Sequence, residues 1–305
     1  MSRRQLGSSD AGRQHGALVP ELPEVESLAR YLAEQATGRT IERVEVAAIS
    51  ALKTFDPPVD ALVGRTITGC ERQGKYLELH ADPYWLVLHL ARGGWVRWHD
   101  QMKATKPTKP GRGPLALRVR LSGGAGFEVT EMGTEKRLAV WVARDPQDIE
   151  HVATLGPDPL EPSFDAAALG TLLAGSTAQI KKALTDQRLI AGVGNAYSDE
   201  ALHLAKLSPF KTAGKLSPAE VERLHGALQQ VLRDAVERSA GLPAAGLKAE
   251  KKSGLRVHGR KGESCPECGD TIREVAFATK SLQYCATCQT GGKPLADRRM
   301  SRLLK

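Results

Sequence analysis

The chain has 305 residues, 41% of them hydrophobic, and a formal net charge of +8 from 43 Lys and Arg against 35 Asp and Glu. That length buries ordinary cores without disulfides, and divides naturally into two domains plus a small module. No signal-peptide pattern and no apolar run long enough to span a bilayer occurs, which excludes a membrane-spanning helix and sets the expectation of a reducing cytoplasm, while the cationic surplus points to a polyanionic partner.

Residues 1 to 18 are rich in Ser, Gly, Arg and Gln with no hydrophobic period, the composition of a disordered extension. From Pro20 the character changes. Val25, Leu28, Ala29 and Leu32 recur at helical spacing, with Pro23 near the start and Gly38 as a stop, so an amphipathic helix is expected to pack on a sheet. Strand-like alternation follows in Leu77/Leu79, in Leu86/Leu88/Leu90, in Leu115/Leu117/Val119/Leu121 and in Phe127/Val129. The Lys/Pro/Gly-rich stretch 103 to 114 between them reads as an exposed loop. One helix followed by antiparallel strands predicts a β-sandwich ending near residue 150, and an α+β multidomain chain overall.

Leu155-Gly156-Pro157-Asp158-Pro159 breaks both periods and reads as an interdomain linker, after which helical patterns run from about 165 to 240. Within them lies Gly192-Val193-Gly194-Asn195, with the next helix starting at or near Asn195. A helix N-terminus behind two glycines suits a phosphate, although the same residues also make an ordinary interhelical turn.

Near the end, Cys265 and Cys268, then Cys285 and Cys288, form two C-x-x-C knuckles separated by sixteen residues. This spacing supplies four thiolates from two tight turns, the ligand set of a structural Zn²⁺; a disulfide pair is the alternative in a secreted protein. Cys70 reads as a small buried side chain. Lys248, Lys251, Lys252, Arg256, Arg260 and Lys261 lead into the knuckles, and Lys293, Arg298, Arg299, Arg302 and Lys305 follow them. Such a strip beside a zinc module points to nucleic-acid phosphate.

Pro20-Glu21-Leu22-Pro23-Glu24-Val25-Glu26, Lys75-Tyr76, His89-Leu90, the Gly-Val-Gly-Asn turn and His258-Gly259-Arg260-Lys261-Gly262-Glu263 occur in one order, and the series from Pro20 to about Gln289 closely resembles the bacterial formamidopyrimidine-DNA glycosylase (Fpg/Nei) family. The resemblance implies an N-terminal β-sandwich with its leading helix, a helix-two-turns-helix domain and a DNA-gripping zinc finger. The corresponding division is a 1–19 extension, a 20–150 catalytic sandwich, a 151–164 linker, a 165–250 helix-two-turns-helix domain, a 251–289 zinc finger and a 290–305 basic tail.

The resemblance also implies a bifunctional DNA glycosylase/AP lyase of base-excision repair that removes oxidised bases of the formamidopyrimidine or 8-oxoguanine type. The amine of Pro20 is then the nucleophile that forms a Schiff base with the deoxyribose. Glu21 is the general acid/base, Glu24 a supporting carboxylate and Lys75 a contact to phosphate and lesion. His89, Arg92, Lys136, Lys181, Asn195 and Arg260 are the expected DNA-binding residues, and Lys280 matches an arginine of the second elimination step. The one Zn²⁺ is structural, since four cysteines leave no coordination position open. Duplex DNA with an oxidised or abasic site is the implied partner, bound by a monomer in the bacterial cytoplasm. The alternative is a noncatalytic binder of damaged or abasic DNA with the same fold.

Several residues depart from the family pattern. Nineteen residues precede Pro20, so its nitrogen is an amide and cannot make the Schiff base. The expected explanation is initiation at a valine codon at position 19, read as methionine and then removed before proline; processing that frees Pro20, or absence of lyase activity, are the alternatives. The stretches that fill the gap left by a flipped-out base read His89-Leu90-Ala91-Arg92-Gly93-Gly94 and Lys136-Arg137-Leu138-Ala139, giving Arg92 and Lys136 as fillers and Leu138 as a smaller wedge than phenylalanine. Lys280 keeps charge but loses the guanidinium fork, which favours β- over δ-elimination.

Overall fold

In the computed structural model the described residues are 19–103, 113–133, 135–277 and 280–296. The expectations for residues 1–18, for most of the 103–114 loop and for Arg298, Arg299, Arg302 and Lys305 lie outside them. The first element is α1 (Leu22–Ala36), where the helical spacing placed it, with Glu21 as N-cap and Gly38 just past its end at φ +82°. Val25, Leu28 and Leu32 on its inner face are fully buried, each contributing about 1.5–3 kcal/mol relative to exposure.

That face packs on a sandwich of two four-stranded antiparallel sheets. One has the order β1 (Ile41–Val46), β6 (Leu115–Leu121), β7 (Gly126–Glu131), β5 (Gly94–His99); the other runs β2 (Gly69–Gln73), β3 (Tyr76–Ala81), β4 (Tyr84–His89), β8 (Ala139–Ala143). The alternation had marked only β3, β4, β6 and β7. Three of the four missed strands carry charges or a leading glycine that blur the period, as in Ile-Glu-Arg-Val-Glu-Val of β1 and Gly-Trp-Val-Arg-Trp-His of β5, while β8, Ala-Val-Trp-Val-Ala, is apolar throughout and shows no alternation.

A short helix α2 (Glu150–Ala153) leads into the second unit, built from α3 (Ala166–Leu173), α4 (Ile180–Leu184), α5 (Asn195–Leu204) and the long α6 (Pro218–Ser239) around a separate apolar cluster. Leu22 of α1 belongs to that second cluster, while Val25 belongs to the sandwich. The connecting segment is not slack. Arg72 of β2 donates to Glu26 of α1 (2.8 Å) and to Asp158 of the segment (2.5 Å), which ties the two units together.

Helix α7 (Leu247–Gly254) then crosses back to the sandwich, where Leu247 is buried. The last elements among the described residues are the hairpin β9 (Ile272–Ala276) and β10 (Ser281–Cys285), followed by α8 (Ala286–Thr290). No helix among the described residues is long and apolar enough to cross a membrane.

Candidate active site

The turn Gly192-Val193-Gly194 brings the N-terminus of α5 against the residues just before α1. Gly192 has φ +83°, and its backbone carbonyl accepts from Leu22 N at 3.0 Å. The Glu21 carboxylate occupies the α5 N-terminus, accepting from the backbone N–H groups of Gly194 (2.8 Å), Ala196 (2.9 Å) and Tyr197 (3.3 Å). These are the unpaired first-turn donors of a helix and its positive dipole end. The seat read from the sequence as suited to a phosphate is therefore filled by the protein's own carboxylate, which arrives from 173 residues away.

Glu21 is 2% exposed. Burial works against its charged form, but Lys251, Lys75 and the Ala196 amide outweigh that and hold the carboxyl below its usual range. Glu24 lies one turn along α1. It accepts from Glu21 N (2.8 Å), from the Tyr197 hydroxyl (2.5 Å) and from Lys251 Nζ (2.7 Å). Burial raises the Glu24 carboxyl, with Lys251 and Tyr197 pulling the other way. Pro20 is buried beside these two acids.

Lys75 sits with Gly74 in the two-residue turn between β2 and β3, where Gly74 has φ +57° and lies against Leu155. Its Nζ donates to Val193 O at 3.0 Å, on the turn that also seats Glu21. Burial lowers its pKa to about 8, Lys251 and Lys280 acting in the same direction and Glu21 and Glu24 against it. At pH 7 about a tenth of it is unprotonated, far more than for an ordinary lysine, and the rest is still the cation. His89 closes β4 opposite Tyr76, the two rings 4.9 Å apart. Burial, aided by Lys75 and His151, brings its pKa down to about 4, so at neutral pH it is an uncharged donor.

The structure thus gathers Pro20, Glu21, Glu24 and Lys75, with His89 nearby and the charge of Lys280 felt at Lys75. Arg92 and Lys136 stand exposed on the turns that leave β4 and enter β8, Lys136 donating to the Glu131 carbonyl. Leu138, expected as a wedge, is instead 2% exposed in the sandwich core, because the start of β8 turns it inward. Asn195 reaches across to the finger, donating to Ser281 O at 2.7 Å. Arg260 braces its own loop through Leu255 O (2.5 Å) and Glu263 (2.9 Å).

Lys181 is 8% exposed, and its ammonium is held by Asn195 O (2.6 Å), Ser198 Oγ (2.8 Å) and Asp199 Oδ1 (2.6 Å). That geometry makes it a brace for α5 and not a side chain presented to a phosphate. Lys251, read as part of a basic surface strip, is likewise turned inward onto Glu24, because helical periodicity puts it on the same face as Leu247. Tyr197 carries no sequence signal that would have marked it.

The four cysteine sulfurs lie within 4.8 Å of one another, with Cys268 to Cys285 at 3.4 Å and Cys265 to Cys288 at 3.9 Å. Tetrahedral zinc with bonds of about 2.3 Å needs sulfurs roughly 3.8 Å apart, so the cage fits the ion. Zinc here is structural. Helix α5 also supports this module: Asp199 accepts from Gln283 N (3.1 Å) and meets His258 Nδ1 (2.7 Å), and His203 Nε2 stands 3.2 Å from Cys265 Sγ.

A sheet sandwich, a helical unit and a four-cysteine finger thus surround a proline followed by two buried acids. Family models match three successive stretches: the formamidopyrimidine-DNA glycosylase N-terminal domain at residues 19–136, the formamidopyrimidine-DNA glycosylase H2TH domain at 155–244, and the zinc finger found in FPG and IleRS at 262–291. The formamidopyrimidine-DNA glycosylase of Symbiobacterium thermophilum is 37% identical over 278 residues, 89% of each chain. An uncharacterized formamidopyrimidine-DNA glycosylase-like protein of Mycobacterium tuberculosis is 67% identical over 151 residues, 50% of this chain and 94% of that one. Among solved structures, Lactococcus lactis Fpg in complex with DNA containing an abasic site superimposes with a TM-score of 0.78 at 28% identity, covering 88% of this chain and 99% of that one. The chain belongs to the formamidopyrimidine-DNA glycosylase family.

Proposed function

We propose that the protein excises oxidised bases of the formamidopyrimidine or 8-oxoguanine type from duplex DNA and cleaves the resulting abasic site through a Schiff base at Pro20. The observation that carries this reading is the Glu21 carboxylate, next in sequence to Pro20, fixed on the α5 N-terminus at the turn that also binds Lys75. The Pro20 nitrogen adds to C1′ of the deoxyribose as the glycosidic bond breaks and the base departs with a proton. Opening of the sugar ring gives an iminium ion. Loss of a proton from C2′ then expels the 3′ phosphate, and water returns the amine. Glu21 handles the proton traffic at the sugar, its ionised resting form making it the acceptor first.

Lys280 serves the second elimination, which expels the 5′ phosphate, and its lack of a guanidinium fork favours stopping after the first. His89, Arg92, Lys136, Asn195 and Arg260 hold the duplex, and Lys181 contributes through the α5 terminus it braces. Oxidised or abasic duplex is the partner of a cytoplasmic monomer.

The chemistry needs Pro20 as a secondary amine, and in the 305-residue sequence its nitrogen is acylated by Val19. The lyase form is accordingly one whose chain begins at Pro20. The same amide favours a second reading, a noncatalytic binder of abasic DNA. Borohydride reduction of the protein with abasic-site duplex separates the two. A covalent adduct mapped to Pro20 by mass spectrometry supports the enzyme, and tight binding without an adduct supports the binder.

A further inference from the structure

We propose that Lys251 is a positioning residue for the Pro20 nitrogen; this rests on the lyase reading above. Its ammonium is 2% exposed and meets three elements at once: Glu24 Oε2 of α1 at 2.7 Å, the Val19 carbonyl oxygen at 2.9 Å, and the Tyr197 ring of α5 with its centroid at 4.7 Å. The same Glu24 oxygen accepts from the Glu21 backbone N–H at 2.8 Å. With Val19 in place Pro20 is held on both flanks, through the carbonyl before it and the amide after it; in the form that begins at Pro20 the Glu21 amide stays fixed by Glu24, and the ammonium bonded to Glu24 is left without its Val19 acceptor.

The arm that delivers Lys251 is itself anchored on the sandwich. Trp95 Nε1 donates to Ala244 O at 2.9 Å, the Lys248 ammonium stands 4.6 Å from the Trp95 ring centroid, and Leu247 is fully buried. One helical turn beyond Leu247 the α7 face reaches the head of α1. A buried ion pair is no more stabilising than a well-packed apolar pair of the same volume, so stability alone does not account for placing two charges here. What the pair does supply is orientation. An amide oxygen and nitrogen flank one carbonyl carbon, so an ammonium bonded to the Val19 oxygen stands beside the Pro20 nitrogen, and once that nitrogen is free it faces the same ammonium.

The test is single-turnover reductive trapping of the natively purified protein on abasic-site duplex, alongside its affinity for duplex carrying a non-reactive tetrahydrofuran site. Lys251→Met should lower the trapping rate by roughly 100-fold, the penalty of a misplaced reacting group, with affinity changed by less than about threefold. Lys251→Arg, which keeps the cation, should recover most of the rate. The Lys251→Met/Glu24→Gln double variant leaves no uncompensated buried charge, so it should fold and still trap as poorly as Lys251→Met. Wild-type trapping rates in Lys251→Met or the double variant, affinity falling in step with trapping, or failure of arginine to rescue overturns the proposal. A wild-type protein that forms no Pro20 adduct overturns the lyase reading and the clamp with it.

Discussion

Gly194 faces the Glu21 carboxyl so closely that a Cβ on it would lie 2.3 Å from Glu21 Cδ and 2.6 Å from Oε1. Its φ is not in the left-handed region, so only space demands glycine here. Gly194→Ala should displace the carboxylate from the α5 N-terminus, costing about 1–3 kcal/mol through overpacking. Excision of an oxidised base should slow by roughly 100-fold, as expected when a proton-transfer group is moved by about an ångström. Single-turnover excision and thermal melting of the variant check both halves; an unchanged excision rate would count against the seat as the functional position of Glu21.

Glu21→Gln keeps the shape but removes the ionised acceptor. Base excision should drop by roughly 10²- to 10⁴-fold, the usual contribution of general acid/base catalysis, while DNA affinity stays close to wild type. Excision at the wild-type rate on oxidised duplex would refute the role given to this carboxylate.

Glu78 on β3 is 4% exposed, its Oε1 has no hydrogen-bond partner among the described residues, and burial, with Glu71 and Asp145, raises its pKa to about 7. A folded-state pKa above the unfolded value means the native state binds more protons between them, so stability falls as pH rises from about 4.5 to about 7. Glu78→Gln mimics the protonated form at every pH. Its melting temperature should match wild type at pH 5 and exceed it at pH 8; equal values at pH 8 would show that the carboxyl finds compensation.

Cys268→Ser removes one of four thiolates, and because metal binding and folding of so small a module are coupled, the finger should unfold. Zinc content should fall from about one ion per chain toward zero, and affinity for abasic duplex should weaken with it. Chelation of the wild-type protein should do the same. Full zinc stoichiometry in the variant would contradict a four-thiolate cage.

The parts legible in the sequence are those whose signal is local. Four cysteines in two knuckles announce their ligand and count, and Val25, Leu28 and Leu32 announce a helix face. Leu138 shows the limit of local reading: as the match of a wedge residue it belonged on the surface, and the register of β8 turned it into the core. The start of α5 at Asn195 was readable, yet its occupant was not, because Glu21 comes from a distant point of the chain. Lys251 looked like one cation in a strip. Only its distance of four residues from Leu247 hints that it points inward, and nothing local says that Glu24 waits there.

Leu22 and Val25 are less than one turn apart on α1, yet they are mortared into different hydrophobic clusters. The first turn of α1, with Glu21 just before it, is thus set in the seam between two lobes and belongs to neither. Heat should melt both lobes as a single cooperative unit, and either one expressed alone would lose the footing of its first helical turn along with its neighbour.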